Sequence, residues 1–494
     1  MSIGPGLAVG APPAARRDVA PHPYWTLARV WAALHPAQSG HAGGAPFSGA
    51  PVDARPVRAI STDTRSVQPG DCFVALRGET FDAHDFLAQA EAAGAAAVVV
   101  DRPQAATGLG IPAIVVPDTL RAYGTLAAHW RTVWQGVPHG GVVIGVAGSN
   151  GKTSTKELLA AALGEAHVVH ATRGNLNNLV GVPATLLAMR PDATVAVVEM
   201  GTNSPGEIAR LAEIVRPDIA VITSIGEEHL EGLGSVEGVL REEADAATGA
   251  QCCIIPADDV AMAERLTRAI RGRASRIVRA GLDAGDVRAE RWMIDAQGRG
   301  RLVIDGVEIA LPVPGVHNLR NAMLVIAVAQ ALGVSLDQVA RGVATMPQPA
   351  MRSSLAALGT RGALLLNDAY NANPPSTRAA IDLLGAVAGG AARQRVAVLG
   401  TMRELGAHAD ALHEDVLRHA IASPADVIVA VGDFAAAAQR LAADPSRVLT
   451  ADAPDAVWPL LAPRLSPDAI ILLKASRGVA LERLVPALTQ WAES

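Results

Sequence analysis

The chain has 494 residues, half of them apolar and under a fifth charged, enough for about three domains with sizeable cores. Its net charge of −6 argues against nucleic acid as the main partner, and the absence of a run of about 18 apolar residues argues against a membrane span. Its three cysteines lack metal-ligand spacing, and Arg16 and Arg17 with the surrounding prolines do not have the form of a secretory signal, so the expectation is a soluble cytoplasmic protein whose Cys252 and Cys253 are buried strand residues.

Residues 1–22 are rich in glycine, proline and alanine and read as a disordered extension. A first domain is expected over 23–138. It opens with a short amphipathic helix, Tyr24 to Leu34, and a glycine- and proline-rich connection, Pro36 to Pro56. Strands are expected at Val57–Ile60, Cys72–Leu76, Ala97–Val100 and Ile114–Val116, with helices at Asp85–Ala93 and Thr119–Trp134. Val137 to Gly141 reads as the hinge to the next domain.

A second domain, 139–348, alternates strands and helices, which implies a mostly parallel sheet. The apolar run Val142–Ile144 enters Gly145-Val146-Ala147-Gly148-Ser149-Asn150-Gly151-Lys152-Thr153-Ser154, and a helix is expected from Thr155 to Leu163. Strand, glycine-rich turn and helix in that order make a phosphate cradle: backbone N–H groups converge on the phosphate oxygens, and the helix N-terminus adds partial positive charge. Gly148, Ser149, Asn150, Gly151, Lys152, Thr153 and Ser154 are therefore candidates to hold a nucleoside triphosphate, with Lys152 at the β/γ-phosphates and the Thr153 hydroxyl on Mg²⁺. Further strands are expected at Val168–Ala171, Val195–Val198, Ile219–Thr223 and Cys252–Ile255, helices at Pro183–Met189 and Asn318–Ala331, and a hairpin meander over Arg291–Leu311. A third domain, 349–494, reads as a Rossmann-like α/β sheet with strands at Ala363–Leu366, Val396–Leu399, Val427–Val431 and Ile470–Leu473.

Ligands of open α/β sheets bind beyond the carboxyl ends of the strands. Glu199 and His229 stand at such ends, on the same sheet edge as the phosphate loop. Glu199 suits Mg²⁺ at the γ-phosphate, and His229 a second metal. His317 and Asn321 are four apart on one helix face. Asn318 between them is either an N-cap or part of a polar face for an adenine ring. Asp368 to Ser376 follows a strand and is more polar than a turn requires, and Gly400–Gly406 and Lys474–Gly478 close two more strands.

In their order these motifs resemble the Mur ligase family, ATP-dependent amide-bond formers of cell-wall precursor synthesis. The family-level marks are the Gly148–Thr153 loop, Glu199, His229, the His317/Asn318/Asn321 helix and Arg352. Ser61–Arg65, Phe81–Phe86, Asp368–Ser376 and Gly400–Gly406 resemble the branch whose substrates are UDP-N-acetylmuramoyl-tripeptide and D-alanyl-D-alanine. The resemblance implies a three-domain α/β enzyme, monomeric and cytoplasmic, using ATP and Mg²⁺ with no nucleic-acid or membrane partner. It places the uridine diphosphate end near Ser61, Asp63, Thr64 and Arg65, and Asn175, Asn177 and Asn178 beside the substrate channel. It brings His317, Asn318, Asn321, Arg352 and Asp368 to ATP, and Tyr370, Asn371, Asn373, Lys474, Ser476 and Arg477 to the side where the dipeptide enters. Catalysis would rest on Lys152, Glu199, His229 and Arg352.

Two departures stand out. Glu243 occupies the position of a carbamoylated, metal-binding lysine of many members, which adds it to Thr153, Glu199 and His229 as a metal-ligand candidate beside the plain reading of an exposed helix glutamate. Ala350-Met351 precedes Arg352 where glycine is usual. The alternatives are a folylpolyglutamate-type amide ligase, a phosphate-loop kinase and a nucleotide-sensing binding protein without catalysis. The long segment before Gly145 counts against the first two, and retention of Lys152, Thr153, Glu199 and His229 against the last.

Overall fold

The computed structural model describes residues 24–36, 53–78, 80–136, 141–348, 351–360, 362–387 and 393–493. The expected extension at 1–22, most of the connection from Pro36 to Pro56, most of the hinge from Val137 to Gly141, and Ala350 lie outside the described residues.

The chain opens with the helix Leu27–Leu34, whose first turn is capped by the Thr26 hydroxyl accepting from Arg29 N. Four short parallel strands follow, Ile60–Ser61, Cys72–Val74, Ala97–Val100 and Ala113–Val115, paired in chain order. The expected strand Val57–Ile60 is reduced to its last residue and the next one. The expected helix at Asp85–Ala93 divides into a tight 3₁₀ turn, Ala83–Phe86, capped by Asp82, and a helix, Leu87–Ala92. The long helix Thr119–Gln135 starts on the Asp118 carboxylate and ends this part.

The central sheet has seven parallel strands among the described residues. Val142–Ala147 lies inside it, between Ile219–Ile222 and Val195–Glu199. Val169–Ala171 forms one edge; Cys252–Pro256, Ile277–Gly281 and Val287–Arg288 complete the other side. Successive connections leave Val142–Ala147 in opposite directions, so its carboxyl end is a switch point where a crevice opens. The meander expected near Arg291–Leu311 is a three-stranded antiparallel sheet, Arg291–Ile294, Arg299–Ile304 and Val307–Pro314.

The third sheet runs Ser354–Leu358, Ala363–Asp368, Ile470–Lys474, Arg395–Gly400, Val427–Val431 and Val448–Ala451, parallel except for its first strand. Apolar cores cover both its faces. One face of the central sheet packs on the helices Lys152–Leu163 and Val316–Ala331. The other face shares a single core with the first domain: Trp134, Leu126 and Val74 pack with Val143, Val198 and Leu211. Cys252 and Cys253 are buried, as their strand reading requires. Among the described residues no helix is long and apolar enough to cross a membrane.

Candidate active site

The phosphate loop is held by backbone. Gly148 has φ +115°, and a Cβ there would meet Thr223 Oγ1 at 2.5 Å. Gly151 has φ +86°, and a Cβ there would meet Asn321 Oδ1 at 2.7 Å. Only glycine fits either place. Ser149 N donates to Ser224 O (2.8 Å) and Asn150 N to Ser224 Oγ (2.9 Å), tying the loop to the neighbouring strand end. Because Gly151 already turns the chain, the helix begins at Lys152 rather than at Thr155. Lys152 Nζ donates to Gly148 O (2.5 Å) and Ser149 O (3.2 Å) and lies 3.8 Å from Glu228 Oε2. Burial alone would lower its pKa, but the carboxylates of Glu228, Glu243 and Glu199 outweigh burial and Arg352, and hold it above the ordinary lysine value. The loop therefore carries a firm positive charge.

Glu199, at the end of its strand, is buried. Its Oε1 accepts from Thr153 Oγ1 (3.2 Å) and Asn177 Nδ2 (2.9 Å), while its Oε2 is buried without a partner. A buried carboxylate oxygen with no donor is costly unless a cation completes it. The Thr153 hydroxyl and Glu199 thus fit a divalent ion on a phosphate. Glu243 is buried rather than exposed. Its Oε2 accepts from Gly148 N (2.7 Å), and burial pushes its carboxyl up to about 7. His229 sits in the left-handed region (φ 52°) and faces the third domain. Its Nδ1 donates to Glu404 Oε2, and its Nε2 lies 3.5 Å from Glu228 Oε1. Burial opposes its protonation, but the Glu404 bond and the Glu228 charge prevail and raise its pKa. Thr153 and Glu199 are thus in contact, while His229 and Glu243 are each committed to another group.

The His317 imidazole is partly buried, and that burial lowers its pKa. Asn318 Nδ2 donates to Pro314 O (2.7 Å) and Asn321 Nδ2 to Asn318 Oδ1 (3.4 Å), so this helix face buttresses Gly151 from below. Gly315, not Asn318, precedes the first helical residue. On the third domain, the Arg352 guanidinium lies 3.9 Å from the Tyr370 ring centroid and close enough to Lys152 to oppose its charge. Asp368 accepts from Ser353 N (2.7 Å) and from the buried Lys474 Nζ (2.5 Å). Lys474 therefore serves Asp368 at the floor of the site. Between the two domains lies a cavity of about 170 Å³, lined by Glu228, His229, Asn371, Asn373, Arg403 and Ser476, with Arg477 at its side.

The remaining candidates are spread out. Asp63 and Arg65 bind each other at the surface (2.7 Å), next to Ser61 and Thr64 at the end of the first strand. Asn178 Oδ1 accepts from Val180 N and Gly181 N, and Asn175 is exposed. The reading of the sequence missed Glu228, Arg403 and Glu404. Glu228 directly precedes His229 at a strand end, and the other two lie inside the Gly400–Gly406 turn, so position was the available signal.

The arrangement defines a class: a three-domain α/β protein built around a phosphate loop. The sequence matches the models "Mur ligase family, catalytic domain" over 56–131, "Mur ligase middle domain" over 146–329 and "Mur ligase, glutamate ligase domain" over 354–477. The UDP-N-acetylmuramoyl-tripeptide–D-alanyl-D-alanine ligase of Escherichia coli K12 is 36% identical over 449 residues, covering 87% of this chain and 94% of that one. A crystal structure of MurF from Acinetobacter baumannii superposes with a TM-score of 0.84 at 33% identity, over 96% of this chain and all of that one. MurF ligase from Thermotoga maritima, in complex with ADP, gives 0.75 at 26% identity, over 88% and 98%. The chain belongs to the Mur ligase family.

Proposed function

We propose that this protein is an ATP-dependent ligase that joins D-alanyl-D-alanine to UDP-N-acetylmuramoyl-tripeptide, as the names of its relatives state for them, and that it works in the cytoplasm. The observation that carries the reading is the Thr153–Glu199 pair, with its unpartnered buried oxygen, beside Lys152 on the phosphate loop. A carboxylate does not acylate an amine unaided. Passing the γ-phosphoryl of ATP to the tripeptide carboxylate breaks the bond to the β-phosphate, giving an acyl phosphate and ADP. The dipeptide amine then attacks its carbonyl, the C–N bond forms as the C–O bond to phosphate breaks, and inorganic phosphate leaves with the proton that the nitrogen gives up to it or to solvent.

Two anions must meet for the first step. Lys152 and the helix N-terminus hold the phosphates and offset their charge. Thr153 and Glu199 would hold Mg²⁺, which would screen the triphosphate oxygens. Arg352, from the third domain, adds positive charge near Lys152, and its guanidinium is held over the Tyr370 ring. Closure of the third domain over the loop excludes water from the acyl phosphate. The cavity lined by Glu228, Asn371, Asn373 and Arg403 receives the dipeptide beside the loop.

The test is phosphate release. It should require both the sugar nucleotide and D-alanyl-D-alanine, and Lys152→Ala should lower it by about 10²–10³-fold while the variant still folds and binds the sugar nucleotide. Equal release with either substrate omitted would sink the proposal.

A further inference from the structure

Lys156 is a fully buried cation with no part in the reaction just described. It lies one helical turn beyond Lys152 on the same helix and face. Its Nζ donates to Thr172 O (2.9 Å) and Gly174 O (3.5 Å) and pairs with Glu157 Oε1 (2.7 Å). A buried ammonium is retained only where its donors are satisfied, and here two of its acceptors are carbonyls of one irregular segment. That segment supplies two of the contacts that fix Glu199. Thr172 Oγ1 accepts from Glu199 N (3.0 Å), and Asn177 Nδ2 donates to Glu199 Oε1 (2.9 Å). Asn177 O also accepts from Gly201 N, just past the same strand end.

We propose that Lys156 is a positioning residue: it ties the phosphate-loop helix to the segment 172–178, so that Glu199 and the sugar-nucleotide channel beside Asn175 and Asn178 keep one register with the bound triphosphate. The inference rests on the proposed ligase reading for the role of that channel, but the tie itself does not depend on it. The helix gives Lys152 and Thr153 to the nucleotide, and Lys156 gives the same helix a grip on the loop that presents Asn177. The two substrates are thereby aligned through one rigid element rather than through separate loops.

The experiment compares Lys156→Met with the wild-type full-length protein. Amide hydrogen exchange over residues 172–178 should speed up by about tenfold or more, while exchange in the third sheet is unchanged. In steady-state assays kcat/KM for the sugar nucleotide should fall by about tenfold or more, and metal-free ADP affinity should stay within about twofold. Combining Lys156→Met with Asn177→Ala should cost no more than about twofold beyond the worse single variant, because both break one linkage. Thr172→Val breaks the same tie at its Glu199 end and must reproduce the split between sugar nucleotide and ADP, whether or not Lys156→Met folds. Unchanged exchange over 172–178, multiplicative losses in the double variant, or an equal loss of ADP and sugar-nucleotide binding in Thr172→Val would each overturn the proposal. If wild-type release does not depend on the sugar nucleotide, the ligase reading fails while the exchange result still decides the tie.

Discussion

The central sheet meets its two neighbours in opposite ways. Toward the first domain the contact is one apolar core, in which Trp134, Leu126 and Val143 are fully buried together. It is reinforced by buried Arg131, which donates to Val215 O, Arg216 O and Asp218. Toward the third domain the contact is mostly polar: Asn373 to Asn150 (2.8 Å), Arg378 to Glu227 (3.2 Å), His229 to Glu404, and His408 to Gly234 O (3.3 Å), with Leu412 against the small cluster of Leu230, Leu233 and Val239. Opening an apolar core costs about 25 cal/mol per Å² exposed, whereas polar surface contacts are exchanged for water at little net cost. The lesson is a division of labour. The first domain and the phosphate loop form one body, and the third domain is the part whose contact costs least to open.

The largest test of that contrast is Trp134→Ala. It should lower stability by about 3–5 kcal/mol and destabilise the first domain and the central sheet together in denaturant melts. Two separate transitions for those two regions would break the comparison.

Glu243→Gln probes the buried charge on the rigid side. The wild-type carboxyl is raised from 4.5 to about 7 by burial, so the folded state holds its proton more tightly than the unfolded state. Stability of the nucleotide-free protein should therefore fall as pH rises from about 4.5 to 7, by about 3 kcal/mol in all, with the loss complete above 7. Glutamine does not titrate. The gap in melting temperature between variant and wild type should widen across that window and then level off.

Arg352→Ala acts on the third-domain side. Phosphate release should fall by about 10²-fold, with a melting temperature within about 2 °C of wild type. A large drop in melting temperature would mean that Arg352 holds the domains together rather than completing the site. Arg378→Ala should have the smallest effect, below about 1 kcal/mol in stability, because its pairs with Glu227 and Asp415 are partly exposed. Small-angle scattering should nonetheless show more open molecules.

The contrast also sorts what the sequence disclosed. The phosphate loop, Glu199 at its strand end and the runs of Val and Ile in the central sheet are local patterns, and the folded chain keeps them within about three residues. The strands Ile277–Gly281, Ser354–Leu358 and Val448–Ala451 were not foreseen, being short and partly exposed, without a run of three β-branched residues to mark them. Partnerships across long separations left no trace either. Glu404 is 175 residues from His229, and Lys474 is 106 from Asp368. Only folding tells that Lys474 is spent on Asp368, that Asn321 props Gly151, and that Glu243 turns inward to Gly148.

The shared core has a consequence for how the molecule can be dissected. Severing the chain just before Val142 would split a single interior in two, stranding the long helix Thr119–Gln135 on one piece and the strands it covers on the other, each with an oily face and no mate. A piece ending at 348 keeps that interior whole. The first domain and the phosphate-loop domain can thus be moved only as a pair, whereas the third domain can be exchanged with far less repair.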